Sequence, residues 1–115
     1  MLYYHNSRCS KSRQGLEILS ASGVEPTVKE YLKEGLTKTE VLGLIKKLNI
    51  QPLEGLIRVK DAPFKELGHT KNDSLSNDQW ASVISKNPAL LERPILVNGD
   101  KAEIGRPPEN LSKII

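Results

Sequence analysis

Leu2-Tyr3-Tyr4-His5-Asn6-Ser7-Arg8-Cys9-Ser10-Lys11-Ser12-Arg13 is the stretch on which the reading of this chain turns. Its first three residues are a short β-prone run, and the middle is polar and turn-like. From Lys11 to Ser22 the apolar residues Leu16, Ile18 and Leu19 take up helical spacing, and Gly23 supplies a C-terminal stop. A cysteine therefore stands between a strand and a helix. The start of a helix offers unpaired N–H groups and the positive end of the backbone dipole. Both favour a thiolate over a thiol, and the thiolate is the nucleophilic form. The same geometry binds oxyanions. One turn can thus hold a nucleophile and its anionic target.

Each neighbour of Cys9 has a plainer reading beside the functional one. Arg8, Lys11 and Arg13 add positive charge, yet any one alone fits a solvated basic face. Ser10 reads as a helix cap. Ser12 either caps or donates a hydrogen bond to the thiolate. His5 is either a structural hydrogen-bonder at a strand end or a group that tunes the charge on Cys9. Asn6 fits an Asx turn.

Working outward, residues 24–32 read as extended, with Val28 the best β-former. Thr37 and Glu40 spell a capping box. The helix they open runs to about Leu48, with Val41, Leu44, Ile45 and Leu48 on one face and Asn49 as its stop. Residues 53–68 read as one or two short helices broken by Pro63. A helix from Asp78 to Lys86 is led by Ser76 or Asn77 and ended by Asn87-Pro88. Residues 94–97 form a strand, Asn98-Gly99 a two-residue hairpin turn, and Ala102 and Ile104 the returning strand. Pro107 or Pro108 opens a last helix whose apolar face holds Leu111, Ile114 and Ile115. The polar stretch 68–78 is the segment expected to be mobile. Strand–helix–strand, then helices, then a hairpin makes an α/β protein: a parallel pair joined by a helix, plus antiparallel strands, in one mixed sheet.

The 115 residues suit a single domain, 1–115, large enough to hold a core unaided. Met1 opens the sequence, so a complete product is expected. There is one cysteine, which excludes a disulfide framework. A formal charge of +3 suits an anionic ligand and falls short of a nucleic-acid footprint. The few aromatics do not interleave with basic runs as a stacking platform requires. No apolar run reaches signal-peptide or membrane-spanning length, so a cytoplasmic protein with no membrane partner is expected. No bound metal or cofactor is expected.

Three more arginines lie beside apolar or proline residues: Arg58 in Leu56-Ile57-Arg58-Val59, Arg93 in Arg93-Pro94-Ile95, and Arg106 in Gly105-Arg106-Pro107-Pro108. Guanidinium groups bind tetrahedral oxyanions through paired N–H donors. Spacing alone leaves open whether these three converge, and any one alone fits a surface ion pair.

The segments 5–13, 55–58, 87–95 and 105–109, in that order, resemble the glutaredoxin-dependent arsenate reductase family from end to end. The resemblance implies a thioredoxin-like mixed sheet with a helical insertion. It makes Cys9 the nucleophile and Arg58, Arg93 and Arg106 the catalytic, oxyanion-binding arginines, which are expected to act on the anion and not on stability. It gives His5 and Ser12 an influence on the cysteine, with Ser12 also at the substrate, and makes Pro94 a cis-proline. Arg8 and Lys11 carry over no role. The implied activity is arsenate reduction to arsenite through a Cys9 thiolate–arsenic adduct. Glutathione is the implied co-substrate, glutaredoxin the partner, and phosphate and sulfate weak analogues. Cysteine arithmetic agrees: the reduction takes two electrons, and with no second cysteine the resolving thiol comes from outside. Two other readings remain at this point: a glutathione-linked oxidoreductase with another substrate, and a redox-sensing regulator of thioredoxin-like fold that binds a protein partner.

Overall fold

The computed structural model describes residues 1–71 and 73–115; Asn72, within the stretch read as mobile, lies outside the described residues. The chain forms two compact units. One comprises Met1–Glu34 with Arg93–Ile115, and the other is Gly35–Glu92.

The first unit holds the sheet. Strand β1 (Leu2–Tyr4) leads through helix α1 (Ser10–Ala21) to β2 (Thr27–Lys29), which pairs parallel to β1. Strand β3 (Ile95–Asn98) pairs antiparallel to β1 on its other edge, and β4 (Lys101–Ile104) pairs antiparallel to β3. The order is β2-β1-β3-β4, the mixed sheet expected. This order puts the loops after β1, β2 and β4 and the loop before β3 at one end of the sheet, with β1 in the interior.

Helix α1 buries Ser12, Gly15 and Leu19 against the sheet. Tyr3, Leu19, Leu96 and Leu111 form the core beneath it, flanked by Leu16, Val24 and Ile114. Gly15 is required there. A Cβ at that position would run into the Tyr3 hydroxyl and approach Leu111 Cδ1 to 2.9 Å. Gly105 is required likewise, since a Cβ would meet Pro94 Cγ at 2.7 Å.

Several local expectations shift. The extended segment is only three residues long, because residues 31–34 form a short helix, α2 (Tyr31–Glu34). The hairpin turn is Gly99-Asp100, since Asn98 still pairs with Lys101; Gly99 supplies the positive φ of 63°. The final segment Pro108–Ile114 is a 3-10 helix with Pro107 as its N-cap and Pro108 as its first residue, and Ile115 beyond it is exposed.

The second unit is helical. Helix α3 (Lys38–Leu48) carries the Thr37–Glu40 capping box with both bonds made, and Asn49 ends it in the left-handed conformation. Helix α4 is Ala62–Glu66, and Pro63 sits in its first turn, so it starts that helix instead of breaking one. Helix α5 (Asn77–Lys86) is capped by Ser76. Val41, Leu44 and Ile45 of α3 and Trp80, Ala81 and Ile84 of α5 are buried where the two helices pack. An isolated bridge between Ile57 and Leu91 ties two loops together. Among the described residues no helix is long and apolar enough to cross a membrane.

Candidate active site

Cys9 is itself the N-cap of α1, and Ser10 is the first helical residue, which corrects the reading of Ser10 as the cap. A tight turn delivers the cysteine: the Cys9 N–H donates to the Asn6 carbonyl at 3.0 Å, and the Arg8 N–H donates to Asn6 Oδ1 at 3.0 Å, the expected Asx turn. The sulfur therefore occupies the place where a capping oxygen accepts from the second and third helical N–H groups. Neither N–H makes a well-aligned cap bond, but both act on its charge.

Burial pushes the Cys9 thiol pKa up; the Ser12 N–H, the Arg93 hydrogen bond and charge, and the Lys11 N–H outweigh that, and the net direction is down. Arg106 adds a contact, with Nη2 3.6 Å from Sγ. The Arg8, Lys11 and Arg13 side chains, which the sequence suggested as the source of positive charge, do something else. Arg8 and Lys11 are exposed, and Arg13 donates to the Ser7 carbonyl at 2.9 Å.

Arg93 lies just before β3 and Arg106 just after β4, the two strands on one side of β1. Arg93 precedes Pro94 across a cis bond, as the resemblance implied, and Arg106 precedes Pro107 across a second cis bond that nothing in the sequence signalled. Arg106 Nε donates to the Arg93 carbonyl at 2.9 Å, so the two segments are locked together.

His5 and Ser12 are buried and joined, Nδ1 to Oγ, at 2.7 Å, and the Asn6 N–H also donates to Ser12 Oγ at 3.0 Å. Burial first, then the opposed effects of Glu30 (upward) and Arg13 (downward), leave the His5 pKa below its ordinary value. Neutral His5 is thus an orienting partner for Ser12 at neutral pH. Sequence reasoning missed Tyr3, whose hydroxyl donates to the Ser12 carbonyl at 2.7 Å. The signal was present: a glycine inside a helix, at position 15, marks a close approach.

Arg58 belongs to the second unit. Its Nε donates to Asp61 Oδ2 at 2.6 Å and its Nη1 to Glu92 Oε1 at 2.5 Å, with only 17% of its side chain exposed. The backbone is tied as well, by Arg58 N–H to the Leu90 carbonyl and Glu92 N–H to the Leu56 carbonyl.

These features agree with what the chain is similar to. The family model described as the ArsC family matches residues 4–114. An arsenate reductase of Haemophilus influenzae is 41% identical over 115 residues, covering 100% of this chain and 98% of that one. An uncharacterized Escherichia coli K12 protein, YfgD, is 42% identical over 112 residues, covering 97% of this chain and 93% of that one. The solved structure of an arsenate reductase from Vibrio cholerae superimposes with a TM-score of 0.91 at 35% identity, covering 99% of this chain and 96% of that one. With the family model matched over residues 4–114 and relatives matched in sequence and fold over almost the whole chain, the chain belongs to the ArsC family and has its thioredoxin-like fold with a helical insertion.

Proposed function

We propose that this chain is an arsenate reductase that takes glutathione as co-substrate and glutaredoxin as resolving partner, working as one domain in a reducing cytoplasm with no bound cofactor. The observation that carries the reading is the surroundings of Cys9. A single nucleophilic sulfur lies at a helix start, 3.6 Å from the Arg106 guanidinium, with Arg93 acting on the same sulfur. A regulator that only binds a partner has no use for such donors.

Arsenate binds where helix N–H groups and guanidinium groups converge, and phosphate or sulfate binds the same place weakly. The Cys9 thiolate attacks arsenic; an As–S bond forms, and one oxygen leaves as water after protonation. The arginines offset the charge on the departing oxygen and hold the anion in line. Family resemblance assigns Arg58 to the same anion, and assigns His5 and Ser12 to keeping the sulfur poised. Glutathione then displaces a second oxygen as water. The glutaredoxin thiolate attacks the glutathione sulfur, an S–S bond forms, and the electron pair of the As–S bond reduces arsenic from the +5 to the +3 state. Water then cleaves the remaining Cys9–arsenic bond, releasing arsenite and regenerating the thiol.

The test is NADPH oxidation dependent on arsenate, coupled through glutathione, glutaredoxin and glutathione reductase. Turnover is expected there, with little when thioredoxin and its reductase are the only thiol source. Cys9→Ser should lower turnover on the order of 10³-fold or more and still bind arsenate, since the arginines and helix start remain. Robust turnover with thioredoxin alone, or an active Cys9→Ser variant, overturns the proposal.

A further inference from the structure

The sheet order gives Cys9 two flanks. On the β3–β4 side are Arg93 and Arg106, the oxyanion side. On the β2 side, where the loop after β1 meets the loop after β2, is a cavity of about 210 Å³ lined by His5, Asn6, Arg8, Glu30, Leu32 and Lys33 among others. The reaction proposed above needs the oxyanion and glutathione to meet at the arsenic carried by Cys9. We propose that this second cavity is the glutathione site, so that the thiol approaches arsenic from the β2 flank while the oxyanion is held on the β3–β4 flank. The proposal rests on the reading of the chain as a glutathione-dependent reductase.

The lining fits that ligand group by group. At neutral pH glutathione carries two carboxylates and one ammonium, and the cavity offers two cations, Arg8 and Lys33, and one anion, Glu30. Glu30 and Lys33 face each other at 3.6 Å with side chains 38% and 75% exposed. A solvated pair of that kind is worth little. A ligand that supplies an ammonium to Glu30 and a carboxylate to Lys33 therefore replaces it at small cost. Leu32, 47% exposed, gives an apolar surface for the cysteinyl methylene. The inner wall is already set. His5 is tied to Ser12, the Asn6 N–H to the same hydroxyl, and the Arg8 N–H to Asn6 Oδ1. A wall that needs no ordering on binding leaves more of the contact free energy for affinity. The same turn carries Cys9, so a tripeptide seated here brings its thiol to the nucleophile's own loop.

The experiment uses S-methylglutathione, which cannot react, titrated into the full chain and followed by backbone amide shifts. Saturable shifts at residues 5–8 and 30–33 are expected below ~10 mM. Lys33→Glu and Arg8→Glu should each weaken binding by at least about fivefold by replacing an ion-paired donor with a like charge. The same variants should raise the KM for glutathione in the coupled assay and leave the KM for arsenate in place. An absence of saturable shifts in those two segments, or unchanged affinity in both variants, overturns the site. Binding of S-methylglutathione by a wild-type chain that reduces no arsenate instead removes the arsenate reading and leaves the site supported.

Discussion

Cys9 and Arg58 are held by opposite means. Around the sulfur the ties are mostly neutral: backbone N–H groups of Lys11 and Ser12, a neutral imidazole on the Ser12 hydroxyl, a phenol on the Ser12 carbonyl. Full charge enters from Arg93 and Arg106. Around Arg58 the ties are carboxylates, Asp61 and Glu92, at hydrogen-bond distance and partly shielded from water. Removing a group from the first region should therefore change chemistry more than stability. Removing Arg58 should change both, because it takes the guanidinium away from Asp61 and Glu92 at once.

The largest expected effect separates the two regions directly. Arg106→Ala should lower kcat/KM for arsenate by roughly 10²–10³-fold, the range for losing one preorganised donor. Its stability should stay within about 0.5 kcal/mol of the wild type, as for an exposed residue. Arg58→Ala should cost about 1–3 kcal/mol of stability through the two hydrogen-bonded ion pairs it removes, a drop of several degrees in Tm. Parallel melting curves and kinetics on the two variants check this. If Arg58→Ala melts with the wild type, the two carboxylates do not constrain it and the contrast collapses. If Arg106→Ala unfolds instead, its bond to the Arg93 carbonyl is structural.

A smaller effect is the pH dependence of the sulfur. Its folded-state pKa is lowered, so iodoacetamide alkylation should have its midpoint below that of a free thiol, and Arg93→Ala should move it upward. The linkage has a definite sign. A lowered acid pKa contributes stability that is complete above the unfolded-state value and is lost as pH falls through the folded-state value. His5 also has a lowered folded-state pKa, so its contribution is complete above the ordinary imidazole value and fades as pH falls below it. An alkylation midpoint at or above the free-thiol value would mean that burial wins over the N–H groups and Arg93.

Much of this was readable from the residues alone. The strand–Cys9–helix turn, the Thr37–Glu40 box and the β3–β4 hairpin depend on local spacing and local hydrogen bonds, which a sequence displays. What stayed hidden depends on contacts across the chain. The sequence treats Arg58 like Arg93 and Arg106, because Glu92, its partner 34 positions away, looks like any surface acid. Arg8, Lys11 and Arg13 drew attention by sitting next to Cys9, yet a side chain one residue away on a tight turn need not point the same way. Arg93, 84 positions later, acts on the sulfur instead. The mixed-charge cavity on the β2 flank joins residues 5–8 to 30–33 through a parallel strand pairing, and only the register of β1 with β2 makes them neighbours.

The smallest effect tests whether the neutral ties near Cys9 matter individually. Tyr3 is fully buried, and its hydroxyl donates to the Ser12 carbonyl at 2.7 Å; burial holds the phenol protonated, so the bond persists across the working pH range. Tyr3→Phe keeps the ring packing and removes one neutral hydrogen bond, a loss of about 0.5–1.5 kcal/mol. Ser12 is the third residue of α1, and the Ser12 N–H is the foremost group lowering the Cys9 pKa. Loosening that turn should therefore raise the alkylation midpoint as well as lower Tm. Gly15 gives the control. Gly15→Ala in the wild type forces a methyl against both the Tyr3 hydroxyl and Leu111, an overpacking cost of about 1–3 kcal/mol. In the Tyr3→Phe background half of that collision is gone, so the double variant should be more stable than the two single losses predict, by about 0.5 kcal/mol or more. Additive losses would show that the phenol does not rest against position 15. A lowered Tm with an unmoved alkylation midpoint would confine Tyr3 to the core and leave the poise of Cys9 to the arginines.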